Sequence, residues 1–228
     1  LLATMPEGYR DRYEPEEIAR HLRLLLPPPA SGRVHLDAVD EGRFSSLVVA
    51  TPDAPGLLVR LAGVLAVHGI DVLDARLTTS ADGVALDTFT VQLGAGGGAV
   101  PPDRWTAVQE DLESGMDVEA KLKTRRRAYR HGILSAITPR VDHHADRDTT
   151  RFEVRCADRV GLLHDLAKVV FEHGGDIHLA KIDTRGGQVI DVFHVSGPGG
   201  GPLNGAEAAS MARALREAAG TVPQQDPV

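Results

Sequence analysis

The chain lacks several features, and each absence excludes a class of protein. Its 228 residues contain a single cysteine, Cys156, which excludes an intrachain disulfide and is typical of a reducing cytosol. No apolar run approaches the ~20 residues that a membrane-spanning helix needs, and no signal peptide opens the chain. The net charge of −7 argues against a protein that neutralises nucleic-acid phosphates. We therefore expect a cytoplasmic protein that binds neither membranes nor nucleic acids.

Catalytic and metal-binding patterns are also scarce. No phosphate-binding loop occurs, and no Ser/His/Asp or Cys/His arrangement has supporting context. Residues 143–148, His-His-Ala-Asp-Arg-Asp, contain metal-ligating residue types. However, no matching cluster appears elsewhere, and two adjacent histidines on a strand point to opposite faces. We expect this segment to be a surface loop between domains, with a metal site as the alternative.

The most informative feature that is present is an internal repeat. The segment Asp53-Ala-Pro-Gly-Leu-Leu58 returns 105 residues later as Asp158-Arg-Val-Gly-Leu-Leu163, and the similarity continues well beyond this motif. The length suits two domains of ~100 residues. His164 and Asp165 resemble an acid–base pair, but their counterparts are Val59 and Arg60, so the repeat does not support shared chemistry there. Further along, three residues that follow a turn also recur: Asp87, Phe89 and Val91 match Asp191, Phe193 and Val195.

The hydrophobic pattern predicts strand, helix, strand, strand and helix in both repeats. In the first repeat these elements are predicted near residues 45–50, 57–68, 70–79, 84–93 and 103–120, and in the second near residues 152–156, 161–173, 176–184, 189–195 and 206–219. One strand is missing from a ferredoxin-like βαββαβ module. Residues 34–38 and 140–143 are candidates, and each can complete its own repeat or the other one. The predicted fold class is α+β, with two such domains in tandem after a short helical segment.

The predicted domain organisation has five parts. Residues 1–32 form a helical tail or linker from a preceding domain, since the chain begins without Met inside a helical pattern and is expected to be a fragment. The first domain covers residues 33–120 and the second covers residues 139–220. Between them, residues 121–138 form a basic helical linker, expected to be solvated, with contact to an acidic partner as the alternative. Residues 221–228 form a tail.

The turn that leads into the first helix of each repeat is the candidate ligand site. We call these residues, 53–57 and 158–162, the first and second leading turns. Asp53 and Asp158 are expected to cap the helices, and the N–H groups of the glycine and two leucines that follow are expected to be free to bind an anion. Gly56 and Gly161 lack a Cβ and permit close approach, although tight packing is an alternative reason for a glycine.

An α-amino acid suits such a site. Its carboxylate would bind the helix N-terminus, and its ammonium group would bind Asp71 or Asp176, which begin the next strand. A helix end contributes only ~0.3–1 kcal/mol, whereas millimolar binding needs about 4 kcal/mol. We therefore expect the ligand to lie between modules, with Asp71 far from Gly56 within one module. The candidate ligand-binding residues are Thr51, Asp53, Ala54, Gly56, Leu57, Asp71, Val72, Asp158, Gly161, Leu162, Asp176 and Ile177.

These motifs resemble a known family. The segment from Asp53 through the apolar helix to His68-Gly-Ile-Asp71 resembles an ACT domain, the small-molecule regulatory module of amino-acid metabolism. Met5-Pro-Glu-Gly-Tyr9, Asp74-Ala-Arg76 and Val189-Ile-Asp-Val-Phe-His-Val195 resemble the C-terminal end of the bifunctional enzymes that add and remove nucleotidyl groups on the PII nitrogen-signalling protein. Two features depart from the pattern. Val160 replaces the motif proline, and Asp71 and Asp176 stand where many ACT domains have Asn.

The resemblance implies a function for the segment. In that family a nucleotidyltransferase domain and an HD-type phosphohydrolase domain precede two ACT domains that sense glutamine, and glutamine favours removal of the nucleotidyl group. The resemblance also implies PII as a partner, a homodimer through the ACT domains, and Mg with UTP or another nucleotide in the catalytic domains. We expect no catalytic site and no cofactor within this segment. The alternatives are an assembly module that binds nothing small, or an ACT repeat of another amino-acid-responsive enzyme.

Overall fold

The computed structural model describes residues 2–94, 96–128, 137–185 and 187–220 of an α+β protein. Contacts between Cα atoms divide the chain into two compact units. The first consists of Leu1–Leu57 with His68–Met116, and the second of Leu58–Val67 with Asp117–Val228. The first helix of the first repeat therefore belongs almost entirely to the second unit.

The first unit begins with a helical segment and continues with an antiparallel sheet. A 3-10 turn at Leu2–Thr4 precedes α1 (Tyr9–Arg12) and α2 (Pro15–Leu25). The four strands lie in the order β1-β2-β4-β3. The bounds are β1 (His35–Asp40), β2 (Ser45–Pro52), β3 (Ile70–Arg76) and β4 (Val84–Leu93), followed by α4 (Pro102–Ser114).

Helix α2 starts with a proline and a capping box. Pro15 occupies the first helical turn, and the backbone N–H of Glu14 donates to the Glu17 carboxylate at 2.9 Å. The helical segment then packs on β2 and β4 through one core cluster, which contains Met5, Tyr9, Leu25, Val48, Ala50 and Leu86.

Arg20 fixes α2 to the sheet. Its guanidinium pairs with the carboxylate of Asp37 and donates to the Asp37 carbonyl oxygen at 2.9 Å. It also donates to the carbonyl oxygen of Ser46 at 2.8 Å and to its hydroxyl at 2.9 Å. Such a charge-assisted set of bonds is strong because the Arg20 side chain is only 13% exposed. The segment predicted to be a tail or linker is thus built into the first unit.

The second unit contains a second antiparallel sheet, with strand order β7-β8-β6-β5. The strands are β5 (Arg140–Ala145), β6 (Thr150–Ala157), β7 (Asp176–Arg185) and β8 (Gln188–Ser196). The helices are α3 (Leu57–Val67), α5 (Val118–Ala128), α6 (Leu162–Glu172) and α7 (Gly205–Gly220). Fully buried side chains of this unit include Phe152, Leu166, Phe193, Met211 and Leu215.

The structure decides which strand completes each sheet. β1 pairs with β2, and β5 pairs with β6, so each candidate strand completes its own repeat. Short connections of residues 41–44 and 146–149 favour these antiparallel hairpins. The completing strand therefore comes first in each repeat, and not last as in the expected βαββαβ order.

The long helix predicted near residues 103–120 is two helices. α4 ends at Ser114, and Gly115 follows in the left-handed conformation with φ 71°, which terminates a helix. Val118 then begins α5, which carries most of the basic run. Arg130, the rest of the predicted linker up to residue 136, and the tail at 221–228 lie outside the described residues. The domain boundaries stay a prediction.

Candidate functional site

The first leading turn is fixed by backbone hydrogen bonds. The N–H of Asp53 donates to the carbonyl oxygen of Gly83 at 2.9 Å, and the N–H of Leu57 donates to Ala54 at 3.1 Å. Gly56 has φ 77°, a conformation that side chains disfavour. α3 begins directly after this glycine. Gly56 is therefore required by the turn itself, whatever it also does for a ligand.

The second leading turn repeats this geometry. The N–H of Asp158 donates to Gly187 at 3.0 Å, and the N–H of Leu162 donates to Arg159 at 3.1 Å. Gly161 has φ 74° and is the N-cap residue of α6, with no side-chain cap. The two turns are thus the same local structure, as the repeated sequence predicts.

Two details of the predicted anion site need correction. Asp158 does not cap α6, because Gly161 holds that position and Asp158 lies three residues before it. The N–H groups of Leu57 and Leu162, expected to be free, are used within the turns by Ala54 and Arg159. Fewer backbone donors face a ligand than the sequence suggests.

The side chains of the first leading turn have local partners. The hydroxyl of Thr51 is turned away, since this residue is 7% exposed and donates to the carbonyl oxygen of Arg33 at 3.1 Å. The carboxylate of Asp53 accepts a hydrogen bond from Thr79 at 3.2 Å. Ala54 is exposed. Asp53, Ala54 and Pro55 therefore present the accessible surface of this turn.

The register of β4 separates Asp71 from the first leading turn. Thr51 pairs with Ala85 at one end of β4, and Asp71 pairs with Gln92 at the other end. At ~3.4 Å per residue these positions are about 24 Å apart. The structure therefore does not bring Asp71 and Gly56 together within the first unit. Val72, next to Asp71, is a core residue at 6% exposure.

The same separation holds in the second unit. Ala157, which precedes Asp158, pairs with Gln188, and Asp176 pairs with Ser196 at the far end of β8. These positions are about 27 Å apart at ~3.4 Å per residue. Ile177 is buried at 6% exposure. Asp176 is exposed and available at its own end of the sheet.

Helix α5 covers the second leading turn. The guanidinium of Arg126 donates to the carbonyl oxygens of Val160 at 2.9 Å and Gly161 at 3.3 Å, and it pairs with Asp165 at 2.8 Å. Leu122 is fully buried. A Cβ on Gly161 would lie 2.8 Å from Arg126 Nη2 and 3.2 Å from Leu122. Here the space beside the glycine is filled by the chain's own side chains.

A second arginine shares the same carboxylate. Arg159 pairs with Asp165 at 2.5 Å and donates to the carbonyl oxygen of Ala218 at 2.9 Å. Both arginine side chains are largely buried, at 16% exposure for Arg126 and 10% for Arg159. Asp165 therefore joins α5 to the second leading turn, Arg159 extends this network to α7, and Asp165 is not paired with His164 as an acid–base couple.

A buried carboxyl group lies near the second leading turn. Asp191 is 1% exposed, and its Oδ1 finds no hydrogen-bond partner among the described residues. Burial, and secondarily the charge of Asp158, raises the pKa of Asp191 well above its ordinary value. Burial also raises the pKa of the nearby Cys156 thiol, to about 12.

The equivalent carboxylate in the first repeat has a partner. Asp87 is 4% exposed and accepts a hydrogen bond from the N–H of Thr78 at 3.3 Å. Because β3 ends at Arg76, the N–H of Thr78 lies outside the strand and is available to the Asp87 carboxylate. In the second repeat, β7 continues to Arg185, so the equivalent backbone stays paired with β8. The recurrence of the two aspartates was visible in the sequence, but their burial was not.

The histidine segment is only partly the surface loop that we expected, because His143 and His144 lie on β5 and residues 146–148 fall in the connection to β6. His143 pairs with Phe152 in the register and stacks on its ring at 5.9 Å between centroids. Within the described ranges, no group of three or more His, Cys, Asp or Glu side chains is arranged to hold a metal ion. In the same part of the chain, no helix has the length and apolar character needed to cross a membrane.

Comparison with curated proteins finds clear relatives. The chain is 38% identical over 166 residues to the bifunctional uridylyltransferase/uridylyl-removing enzyme of Azospirillum brasilense, a match that covers 69% of the chain and 18% of the relative. It is 31% identical over 217 residues to the enzyme of the same name from Rhodospirillum rubrum, covering 85% of the chain and 23% of the relative. The Bordetella pertussis enzyme of that name is 35% identical over 201 residues, 83% of the chain and 23% of the relative. No model of a known protein family matches the chain.

Proposed function

Because the chain belongs to the family of bifunctional uridylyltransferase/uridylyl-removing enzymes and spans 18–23% of the length of the relatives compared, we propose that it is a regulatory segment of such an enzyme. We further propose that its two repeats are ACT domains of the ferredoxin-like kind, at the C-terminal end of the enzyme. The antiparallel sheets with strand orders β1-β2-β4-β3 and β7-β8-β6-β5 support this assignment.

The ligand we propose is an α-amino acid, glutamine, bound at the leading turns. The observation that carries this proposal is the shared backbone turn, which places a left-handed glycine before a helix in both repeats. A micromolar ligand needs about 8 kcal/mol, far more than a helix end supplies. Because Asp71 and Asp176 lie at the other ends of their own sheets, a complete site takes its ammonium partner from beyond the leading turn.

The mechanism we propose is a population shift. Glutamine stabilises one arrangement of the segment by binding that arrangement more tightly than the others, and the enzyme then favours removal of the nucleotidyl group. The nucleotidyl acceptor is PII, and Mg and UTP act in domains outside these 228 residues. The segment assembles as a homodimer through its ACT domains.

One observation favours the alternative of an assembly module that binds nothing small. Gly161 packs against Leu122 and Arg126, so tight packing alone accounts for a glycine at this position. This argument applies to the second leading turn only. The first leading turn therefore provides the decisive test.

Calorimetric titration with glutamine tests the proposal through a matched pair of glycine variants. Gly56→Ala and Gly42→Ala both place a side chain at positive φ, 77° and 81°, so both carry a similar conformational cost. A Cβ on Gly42 meets nothing within 4 Å. We expect Gly42→Ala to bind as the wild type does and Gly56→Ala to bind roughly tenfold more weakly or worse, a loss of about 1.4 kcal/mol or more.

Two results would contradict the sensor function. The first is the absence of any heat at millimolar glutamine for folded wild-type protein. The second is equal affinity of the two glycine variants, which would show that the first leading turn is not part of the site. Parallel titrations with glutamate and asparagine, which resemble glutamine in size or in functional group, show which ligand side chain the site prefers.

A further inference from the structure

Helix α5 is held on the second leading turn at one particular residue. Arg126 brings its guanidinium to three acceptors at once: the carbonyl oxygens of Val160 and Gly161 and the carboxylate of Asp165. In the part of the basic run that the structure describes, Lys121, Lys123 and Arg127 are exposed, Arg125 is half-buried, and Arg126 faces inward.

The ion pair near the start of α5 is more exposed to water. Near its start, Glu119 pairs with Lys168 at 2.5 Å and lies 3.5 Å from Nε2 of His164. Glu119 and Lys168 are 53% and 43% exposed, and exposed ion pairs contribute little to stability. Arg126 and Asp165 are 16% and 22% exposed, so their pair is better shielded from water. Arg126 is thus the main polar attachment of α5 to this turn.

Leu122 completes the cover. It is fully buried, and its side chain lies 3.2 Å from the position that a Cβ of Gly161 would take. Arg126 and Leu122 together occupy the approach to the glycine. A ligand cannot take the space beside Gly161 while these two side chains are in place.

We propose that α5 is a strap, fastened by Arg126, that closes the second leading turn until it is released. The two leading turns are then unequal, with the second available only after α5 has moved. Release of α5 removes the guanidinium of Arg126 and the side chain of Leu122 from beside Gly161, which opens the approach to this glycine. The ligand admitted on release is the α-amino acid of the proposed glutamine sensing, and this part rests on that proposed function.

Hydrogen exchange on the whole chain tests the strap without any ligand. Arg126→Met removes the guanidinium and keeps the aliphatic stem, and Lys123→Met makes the same change at an exposed position of the same helix. We expect the amides of residues 118–128 and 161–165 to exchange roughly tenfold faster or more in Arg126→Met, with no change in Lys123→Met. Circular dichroism checks that each variant is folded. If Arg126→Met does not fold, Asp165→Asn, which weakens the same attachment from the other side, replaces it.

Calorimetry with glutamine then tests the closure. We expect one glutamine per chain for the wild type and for Lys123→Met, and two per chain for Arg126→Met. Equal exchange rates in the two methionine variants would overturn the strap. A second glutamine bound to wild-type protein with α5 still protected would overturn the closure. Absence of glutamine binding to all three proteins would refute the proposed sensing but leave the exchange result to decide the strap.

Discussion

Gly63 lies in the middle of α3 and gives the sharpest stability test. The structure predicts that Gly63→Ala destabilises the protein, whereas Gly→Ala within a helix usually stabilises it. In an uncrowded helix, Gly→Ala stabilises by ~1 kcal/mol. At Gly63, however, a Cβ would lie 2.3 Å from Cγ1 of Val118 and 2.7 Å from Nδ1 of His164. Both distances are far below van der Waals contact, so either the side chains of Val118 and His164 would have to turn aside or α3, α5 and α6 would have to move apart.

The size of the effect follows from what must move. Overpacking a well-packed site costs ~1–3 kcal/mol. If His164 turns aside, it also loses its hydrogen bond from Nδ1 to the carbonyl oxygen of Val59, which is 2.8 Å long and contributes ~1 kcal/mol. After subtraction of the helix gain of ~1 kcal/mol, we expect Gly63→Ala to lower the free energy of unfolding by about 1–3 kcal/mol.

Urea unfolding followed by circular dichroism measures this change, with Gly205→Ala as the matched control. Gly205 is also helical, but a Cβ there meets nothing within 4 Å, so its substitution should be neutral or stabilising. Val118→Ala removes the methyl group that Gly63→Ala would strike. The double variant should therefore recover at least ~1 kcal/mol relative to additivity. Stabilisation by Gly63→Ala would refute the described packing of these three helices.

Two further predictions concern buried titratable groups. The raised pKa of buried Asp191 makes the wild type lose stability as pH rises from ~4, the pKa of the unfolded state. Asp191→Asn does not titrate, so its stability relative to the wild type should increase over that range. A difference between the two urea midpoints that does not widen with pH would contradict this. Burial lowers the pKa of His21 to about 4, and the ring lies 2.6 Å from the hydroxyl of Tyr9. The neutral His21 side chain therefore contributes stability that is fully present above pH ~6.5 and is lost as pH falls towards 4, by up to ~3 kcal/mol. If the free energy of unfolding of His21→Gln depends on pH as that of the wild type does, His21 is not the group that titrates.

Most of the structural features that could be predicted from the sequence follow from the internal repeat. Because both copies conserve the spacing between strand, glycine and helix, the element order and the two matching turns were predictable. The repeat also marked Asp87 and Asp191 as equivalent. It did not show their different environments, because those depend on β7 being longer than β3, a difference set by pairing with β8.

The role of α5 was not predictable in the same way. It lies in the stretch between the repeats, so no second copy exists for comparison, and six basic residues in one run look alike. Only the structure shows that Arg126 turns inward while Lys123 is exposed. Val118 and Leu122, eight and four positions earlier, are the signal in the sequence that this helix face packs against something.

The packing of α2 had a readable signal in the strands. In β2 the run Leu47-Val-Val-Ala50 is apolar at every position, which is typical of a strand covered on both faces. In β6 apolar residues alternate with Arg151, Glu153 and Arg155, which is typical of a strand covered on one face. This contrast between equivalent strands predicts that the first sheet has an additional cover, and α1 and α2 supply it.

The hydrogen bond between His164 and Val59 joins a residue to its own counterpart, since these positions are equivalent in the two repeats. In a symmetric homodimer, a residue meets its own copy only beside the two-fold axis. A single chain that contains such a contact behaves at this point like a fused pair of subunits. Fusion also frees the two halves to diverge, and here His164 on one helix, at the position equivalent to Val59, faces the glycine at position 63 on the other.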